Sequence, residues 1–321
     1  DENPQFAYES SSLWYNKGLA FDRLARYEEA VEAYDKVLDK EPGFAVVWYK
    51  KAVAQDKLEQ YDKSVSSYGQ ALKVDSSSAR SWYDQGQAYD RLGKHNDAIR
   101  SYSKAVKVNP NFTAAWYARA VAYDNIEKYE ESTVCYDKVL ELQPDSTEAW
   151  LRKAAALDNL GRYDEATLCY EKVLELQPGH SVAKFQLNAD LELLNGEGVS
   201  EGDLAGSTGV LGTLNGNVLF PNALFIWNDE IPLATSSTGQ QGMSSNEILG
   251  GPVTFDAVWV AKGDLLTEMS NLEDAVLCYD KAILLNSGSS NAWAGKASSL
   301  DKQGRYSEAV DSYETAISLD P

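Results

Sequence analysis

The chain has 321 residues, of which 49 are acidic and 29 are basic, so its formal net charge is −20. An acidic excess of this size argues against nucleic-acid binding, which requires clustered lysine and arginine. Apolar residues make up 44% of the chain, which excludes an intrinsically disordered protein, and no run of about 20 apolar residues predicts a membrane span.

From residue 13 onward one pattern recurs every 34 residues through five units and, after a long interruption, through two more. Each unit contains one tryptophan at the same position. The seven tryptophans are Trp14, Trp48, Trp82, Trp116, Trp150, Trp259 and Trp293, and they define units 1 to 7. In unit 1, helical spacing predicts a first helix through Trp14 and Phe21 and a second from Tyr27 to Leu38, ended by Pro42-Gly43. Two helices of this size do not bury their own apolar faces, so the units must stack.

Other positions of the unit repeat as strictly, and we name each slot by its distance from the tryptophan. Slot +4 is small: Gly18, Ala52, Gly86, Ala120, Ala154, Gly263 and Ala297. Slot +16 is also small: Ala30, Ser64, Ala98, Ser132, Ala166, Ala275 and Ala309. Slot +20 is always tyrosine: Tyr34, Tyr68, Tyr102, Tyr136, Tyr170, Tyr279 and Tyr313. Slot +28 is proline in five units and serine in units 2 and 6.

This period and these slots closely resemble the tetratricopeptide repeat family, over residues 13–194 and 256–321. The resemblance implies an all-α, right-handed superhelical solenoid of helix pairs with a concave groove. The first helix of each pair is expected to line that groove. Residues 13–194 then form five repeats plus one extra helix, residues 256–321 form two further repeats, and residues 1–12 are an N-terminal extension.

The pattern breaks after unit 5, where Lys184 and Asn188 occupy the tryptophan slot and the small slot. Ser181–Leu194 still predicts a helix, but no second helix follows it. Residues 195–255 form a Gly/Ser/Thr-rich insert that contains half of the 22 glycines and no lysine or arginine. Asn215-Gly216 between two apolar runs predicts a β-hairpin, while the Gly/Ser content is also typical of a flexible linker. We favour a β-containing element packed on its own chain or on a neighbour.

The two termini of the array look like internal repeats, with no polar outer face of the kind that solenoid ends usually carry. A head-to-tail contact between chains would cover both termini, and such a contact does not close, so it builds filaments. The residues expected in that self-assembly lie in the two terminal units and the insert: Trp14, Val218, Phe220, Phe225, Trp227, Val310, Tyr313 and Ile317.

The sequence offers little support for catalysis. The two histidines, His95 and His180, occupy unrelated slots, and no Cys/His spacing suits zinc. Cys135, Cys169 and Cys278 share slot +19, and stacked repeats would hold them too far apart for a disulfide. We therefore expect no enzyme activity, no catalytic residue, no cofactor and no metal.

Recurring polar and aromatic slots predict where a partner protein binds. Slot +8 is aspartate in all units but unit 6, where it is Thr267, and slot +1 is tyrosine in units 1 to 4. The family resemblance places ten such residues in the concave groove: Tyr15, Asp22, Arg23, Tyr49, Asp56, Tyr83, Asp90, Arg91, Tyr117 and Asp124. The alternatives are a solvated stripe in which neighbouring aspartates and basic side chains satisfy one another, and a weak divalent-cation ladder.

Two functions from different classes follow from these observations. The first is a structural protein that assembles with copies of itself into filaments; the second is a monomeric adaptor that binds a peptide or helix of another protein in the groove. Asn111-Phe112-Thr113 is a possible N-glycosylation site, which applies only to an exported protein. The chain starts at Asp1 without a signal-peptide pattern, which fits a processed mature form and a trimmed piece equally. The compartment stays open, with an extracellular or cell-surface location suspected.

Overall fold

The computed structural model describes residues 4–195 and 255–320, and every regular element in these ranges is an α-helix. The fifteen helices are α1 (Pro4–Arg23), α2 (Tyr27–Lys40), α3 (Ala45–Lys57), α4 (Tyr61–Val74), α5 (Ala79–Arg91), α6 (His95–Val108), α7 (Thr113–Asp124), α8 (Tyr129–Leu142), α9 (Thr147–Asn159), α10 (Tyr163–Leu176), α11 (Ser181–Asn195), α12 (Phe255–Glu268), α13 (Leu272–Leu285), α14 (Ser290–Lys302) and α15 (Tyr306–Leu319). The predicted all-α fold is confirmed. The predicted β-hairpin lies outside the described residues.

Consecutive helices pair as the period predicts. Units 1 to 5 are formed by α1–α2 through α9–α10, α11 is the extra helix, and units 6 and 7 are α12–α13 and α14–α15. First helices of neighbouring units also touch, as α5 does α7 and α12 does α14. The first helices therefore form one layer of the stack. Helix α1 begins at Pro4, so residues 4–12, predicted as an extension, lengthen the first helix. None of the helices in the described ranges is long and apolar enough to cross a membrane.

The slot-+20 tyrosine is the centre of each unit. All seven of these tyrosines are at most 1% exposed. Their rings lie directly over slot +4 of the same unit: a Cβ added at Gly18 would be 2.6 Å from Cε1 of Tyr34, and one at Gly263 would be 2.6 Å from Cε1 of Tyr279. The small residue at slot +4 is therefore needed because a phenol ring occupies the space above it.

The first helix of each unit ends at slot +11 with a residue in the left-handed conformation. Glycine fills this slot in units 3, 5 and 7, at Gly93, Gly161 and Gly304. Four units place a non-glycine residue there at φ between 56° and 60°: Ala25, Glu59, Glu127 and Ser270. The left-handed residue reverses the chain after the first helix, so the second helix packs back against it.

The spatial order of the units differs from their order in the sequence. Helix α15, the last of the chain, packs on α1, the first. The stack therefore runs through units 6, 7, 1, 2, 3, 4 and 5 to α11. Residues 256–321, which could have stacked on their own chain or on a neighbour, stack on their own chain, and residues 196–254 connect the two ends of the stack.

The contact between units 7 and 1, which we call the 7–1 joint, repeats the contacts found between consecutive units. Lys17 at slot +3 pairs with Glu314 at slot +21 of unit 7, at 3.1 Å. Identical slots pair elsewhere, in Lys51–Asp35, Lys153–Asp137 and Lys296–Asp280. The Arg23 guanidinium lies over the Tyr306 ring at 5.2 Å, just as Arg91 lies over Tyr61 at 5.4 Å between units 2 and 3. The 7–1 joint is thus an ordinary repeat–repeat interface.

The residues predicted for self-assembly at the two termini lie in this part of the fold. Val310 is 2% exposed in one cluster with Ala20 and Phe21 of α1, and Trp14 packs against that cluster. Tyr313 and Ile317 are also buried. The two termini that looked like free ends of the array cover each other, and the ends of the described stack are α11 and α12. Val218, Phe220, Phe225 and Trp227 lie outside the described residues.

Candidate protein-binding face

The slot-+8 aspartates are held from inside the fold. In units 1 to 5 the hydroxyl of the slot-+20 tyrosine donates to the carboxylate at slot +8 of the same unit, over 2.5–2.9 Å. The pairs are Tyr34–Asp22, Tyr68–Asp56, Tyr102–Asp90, Tyr136–Asp124 and Tyr170–Asp158. A buried phenol needs such an acceptor, so the recurring aspartate has a role in the fold that does not depend on a partner.

Unit 6 solves the same problem with other residues, since its slot +8 is Thr267. The Tyr279 hydroxyl donates to Asp264 over 2.8 Å. The Thr267 Oγ1 lies 3.3 Å from that hydroxyl and 2.9 Å from the Ser299 Oγ of unit 7. The tyrosine is therefore satisfied in unit 6 by an aspartate three residues earlier on the same first helix.

The environment of the slot-+8 carboxyls shifts their protonation. Burial raises the pKa of Asp22, Asp56, Asp90 and Asp124, and the hydrogen bond from the tyrosine partly opposes that rise. Asp90 also lies 3.0 Å from Nδ1 of His95. Side chains that are half-buried and already hydrogen-bonded present little free charge to a partner or to a divalent cation.

The slot-+1 tyrosines stack on the buried tyrosines of their own units. Ring centroids are 6.2 Å apart for Tyr15–Tyr34, 5.8 Å for Tyr49–Tyr68 and 5.9 Å for Tyr117–Tyr136. Tyr83 also contacts Phe112, at 5.0 Å. All four are half-buried, and burial raises their pKa, to about 12 for Tyr83. These rings form a fixed aromatic row along the first helices.

Two of these tyrosines are tied to the next unit by their hydroxyls. Tyr49 donates to Asp84 over 2.7 Å, and Asp84 accepts two bonds from Nε of Arg80, at 2.9 and 3.0 Å. Tyr117 donates to Glu148 over 3.0 Å, and Glu148 accepts from Arg152 over 2.8 Å. Sequence reasoning missed both acid–arginine pairs because acid and base exchange slots, −2 and +2, between units 3 and 5.

The two arginines predicted for the groove bridge units. Arg23 pairs with Asp301 across the 7–1 joint. The Arg91 Nη1 donates to the Tyr61 hydroxyl over 3.2 Å. The lysine–acid pairs of slots +3 and +21 were also missed, although the recurring lysine of units 1, 2, 5, 6 and 7 was the available signal.

Along the first helices, Val46, Lys57 and Gln87 are among the exposed side chains.

The remaining reactive side chains serve the fold. All three cysteines are buried, and burial raises the pKa of Cys135 and Cys169 to about 11, which keeps them as thiols. His180 accepts from the backbone N–H of Ala183 over 3.2 Å. No group of three or more potential metal ligands occurs in the described part of the chain. Asn111 is exposed in the turn before α7.

Comparison with known proteins agrees with the fold. Tetratricopeptide repeat models match residues 11–44, 45–78, 79–112, 113–146, 147–180, 257–288 and 290–321, which is most of the chain. No curated protein matches.

Among solved structures, a crystal structure of MamA protein has a TM-score of 0.51 at 22% identity, covering 53% of this chain and 93% of that one. A structure of YrrB, "a TPR protein with an unusual peptide-binding site", has a TM-score of 0.49 at 20% identity, covering 54% and 89%. A structure of MamA from Desulfovibrio magneticus RS-1 has a TM-score of 0.49 at 20% identity, covering 54% and 97%.

Identities this low speak for the fold alone. The seven matched repeats carry the family assignment: the chain belongs to the tetratricopeptide repeat family, whose helix stacks are scaffolds for protein–protein interaction.

Proposed function

We propose that the protein is a non-catalytic scaffold that binds a segment of another protein along the face formed by its first helices. We call this the first-helix face and define it by slots −2, +1, +2, +5, +8 and +9. The observation that carries the proposal is the row of slot-+1 tyrosines, half-exposed and fixed from below by stacking and from the side by Asp84 and Glu148. A surface whose rotamers are already fixed loses little entropy on binding.

The partner contacts expected on this face are aromatic and hydrogen-bonding. The slot-+8 carboxylates are engaged by tyrosine hydroxyls, so the contribution of Asp22, Asp56, Asp90 and Asp124 is to hold the tyrosines in place. Tyr15, Tyr49, Tyr83 and Tyr117 supply contact area, and Lys57 and Gln87 supply exposed polar groups, although the Gln87 Nε2 also donates to the Tyr83 hydroxyl over 2.9 Å. Arg23 and Arg91 stiffen the joints beside them.

Site-specific photo-crosslinking tests the proposal. A photoreactive side chain at Gln87, exposed on the first-helix face, is expected to give a defined protein adduct in an extract of the source cells. The matched position is Arg100, exposed on the second helix of the same unit, where no adduct is expected. An adduct at position 100 with none at position 87 would place the binding site on the opposite face and contradict the proposal. The partner identified at Gln87 would then be purified and its binding measured directly.

A second candidate is self-assembly in which units 6 and 7 of one chain pack on α1 of the next. The 7–1 joint favours it, because its lysine–acid pair uses the slots that pair at three other joints, and residues 196–254 separate units 6 and 7 from the rest of the stack in the sequence. The same joint formed within a chain competes at an effective concentration of roughly 0.1–1 mM. Chains in dilute solution are therefore expected to close on themselves, and filaments to need concentrations above that range or refolding from a crowded state.

Paired charge reversals test this exchange. Lys17→Glu and Glu314→Lys each place like charges across the joint within their own chain, whereas a mixture of the two variants can form two favourable pairs between chains. Light scattering is expected to show larger particles for the mixture, refolded at high concentration, than for either variant alone. Particles of monomer mass in every sample would contradict self-assembly through this joint. For the location of the protein we propose export, and a glycan on the exposed Asn111 would indicate it.

A further inference from the structure

Unit 6 is unlike the other units in how much apolar surface it leaves uncovered. Nine large apolar side chains in the described residues are more than half exposed, and six of them lie in unit 6: Val258, Leu265, Met269, Leu277, Leu284 and Leu285. Unit 6 is the first unit of the stack, and none of the described helices precedes it. Three of the six, Val258, Leu265 and Met269, lie on α12 or directly after it, and such a line of exposed apolar side chains on an acidic protein points to a docking site.

The stripe on α12 occupies slots that preceding units cover elsewhere. Val258, Ala261 and Leu265 on α12 and Met269, the first residue after it, follow one another at helical steps of three and four residues, so they form one face. In the other first helices slot +6 is buried by the second helix of the preceding unit. Ala88 shares a cluster with Tyr68 and Val65, Ala122 shares one with Ile99 and Tyr102, and Ala20 shares one with Val310. The face of α12 is thus shaped to receive a helix.

A lysine on α12 would fix the position of the incoming helix along it. At four joints the slot-+3 lysine pairs with an acid at slot +21 of the preceding helix, at 2.5–3.1 Å. Lys262 is the slot-+3 lysine of unit 6. It is exposed, and its ammonium lies over the Trp259 ring at 5.2 Å, as Lys17, Lys51 and Lys296 lie over their own tryptophans. Lys262 is therefore in the position from which the others bind a carboxylate.

Size sets a second requirement. Slot +6 is alanine in units 1 to 5 and serine in unit 7, and each of these residues is at most 2% exposed. Unit 6 has Leu265 instead. A helix that carried valine or isoleucine at slot +17, as α15 and α6 do, would collide with the leucine, so the incoming helix needs a small residue there. Slot +17 precedes slot +21 by four residues, which is one helical turn.

We propose that α12 is a docking site for an amphipathic helix of a partner protein in which a small residue is followed four residues later by aspartate or glutamate. The small residue packs on Leu265 and the acid pairs with Lys262. Val258 and Met269 cover the apolar face of the helix at its two ends. This site is separate from the first-helix face and stands whether or not that face binds a partner.

A stapled helical peptide probes the site in the intact chain. Its sequence is that of residues 305–320 with Val310→Ala, and the staple joins the exposed positions of Asp311 and Ser318, because a free peptide of this length is not helical. The peptide is expected to bind, and the same peptide with Val310 retained is expected to bind at least tenfold more weakly. Leu265→Ala in the chain should reverse that preference, since it restores the usual small slot.

Two further variants separate the site from general stickiness. Leu265→Asp is expected to abolish binding without changing the melting curve, because Leu265 is exposed. The matched control, Leu168→Asp on the second helix of unit 5, is expected to bind normally. Lys262→Glu should weaken binding about three- to fivefold, in line with exposed ion pairs, and a peptide with Glu314→Lys should restore it.

The outcomes that overturn the proposal are equally specific. Absence of peptide binding would do so, and so would binding that Leu265→Asp leaves intact. A chain that dimerises without peptide and becomes monomeric with Leu265→Asp would show that a second copy occupies the face, not a partner helix. Loss of crosslinking at Gln87 would leave this site untouched, so failure of the first-helix face and failure of this site are distinguishable.

Discussion

The two ends of the stack differ in the residue at slot +6 and in its burial. Slot +6 is Asp190 on α11 and Leu265 on α12, where the units between them have alanine or serine. Asp190 is buried against unit 5 beside Asp158 and Tyr170, whereas Leu265 faces outward. On its outer side α11 exposes Lys184 and Asn188, in the slots that tryptophan and a small residue would occupy. We call the α12 end the apolar end, since Val258, Leu265 and Met269 are more than half exposed there, whereas α11 combines its polar residues with Val182, Phe185 and Leu191 at 40–43% exposure.

The largest expected effect comes from breaking the 7–1 joint, which lies inside the stack. Val310→Asp places a charge in this buried joint, and we expect the packing of α15 on α1 to lose roughly 3 kcal/mol or more of its free energy. Hydrogen exchange should then become faster in α1 and in α12–α15, while α5–α8 stays protected. Leu168→Asp, on an exposed position, serves as the control. Unchanged protection in α12–α15 would mean that units 6 and 7 do not depend on α1.

The stability of the α11 end should depend on pH. Burial, and then the charge of Asp158, raise the pKa of Asp190 to about 7. A carboxyl whose folded pKa lies above its unfolded pKa stabilises the fold fully below the unfolded value, near 3.9. That stability is lost as the pH rises to about 7, by at most about 1.4 kcal/mol per pH unit for one proton.

Urea unfolding of α11 and unit 5 at pH 5 and pH 8 measures this loss. Asp190→Ala restores the residue of the other units, so its stability should fall less over the same range and exceed that of the wild type at pH 8. Parallel curves for the two proteins would contradict the assignment.

Removing the hydroxyl of a slot-+20 tyrosine should destabilise the interior of the stack more than its apolar end. Tyr136→Phe removes the hydroxyl that donates to Asp124 in the middle of the stack, and we expect a loss of about 1–2 kcal/mol in the free energy of unfolding. Tyr279→Phe in unit 6 should cost less, about 0.5–1 kcal/mol, because Thr267 keeps its bond to Ser299. Paired thermal and denaturant unfolding gives both values. Equal losses would show that the threonine arrangement is no substitute.

The smallest effect concerns the turn at slot +11. Ser270 at the apolar end has φ 60°, while the corresponding residue of unit 5 is Gly161 at φ 70°. Ser270→Gly is expected to stabilise unit 6 by about 0.5–1 kcal/mol, because glycine adopts this conformation without a Cβ clash. The reverse change, Gly161→Ala, should cost about 1 kcal/mol. A destabilising Ser270→Gly would show that backbone entropy outweighs the relief.

The helices and their pairing were predictable because a 34-residue period with fixed small and aromatic slots leaves one packing solution. The tyrosine and aspartate slots were both visible, yet their mutual bond was not. A pattern shows that a polar group recurs, but it does not show whether that group is used inside the fold or presented to a partner. Asp56 and Tyr68 lie twelve residues apart on different helices, and only the packing brings them together.

The order of the units was not predictable for a related reason. The lysine–acid pair of slots +3 and +21 recurs at four joints, so Lys17 would fit the acid of several units, and periodicity alone does not say which unit precedes unit 1. Leu265 could have signalled the apolar end, because it is the one large aliphatic side chain in slot +6.

The packing of α15 on α1 has a consequence for folding during synthesis. Helix α1 leaves the ribosome early, but α15, which covers it, is made some 280 residues later, a delay of roughly 15 to 60 s at ordinary elongation rates. Throughout that interval the apolar side of α1 around Ala20 and Phe21 is open to other nascent chains and to chaperones. A circular permutant that begins at residue 255 and joins residue 321 to residue 1 would be translated in spatial order, and it should acquire its structure steadily from one end of the chain to the other.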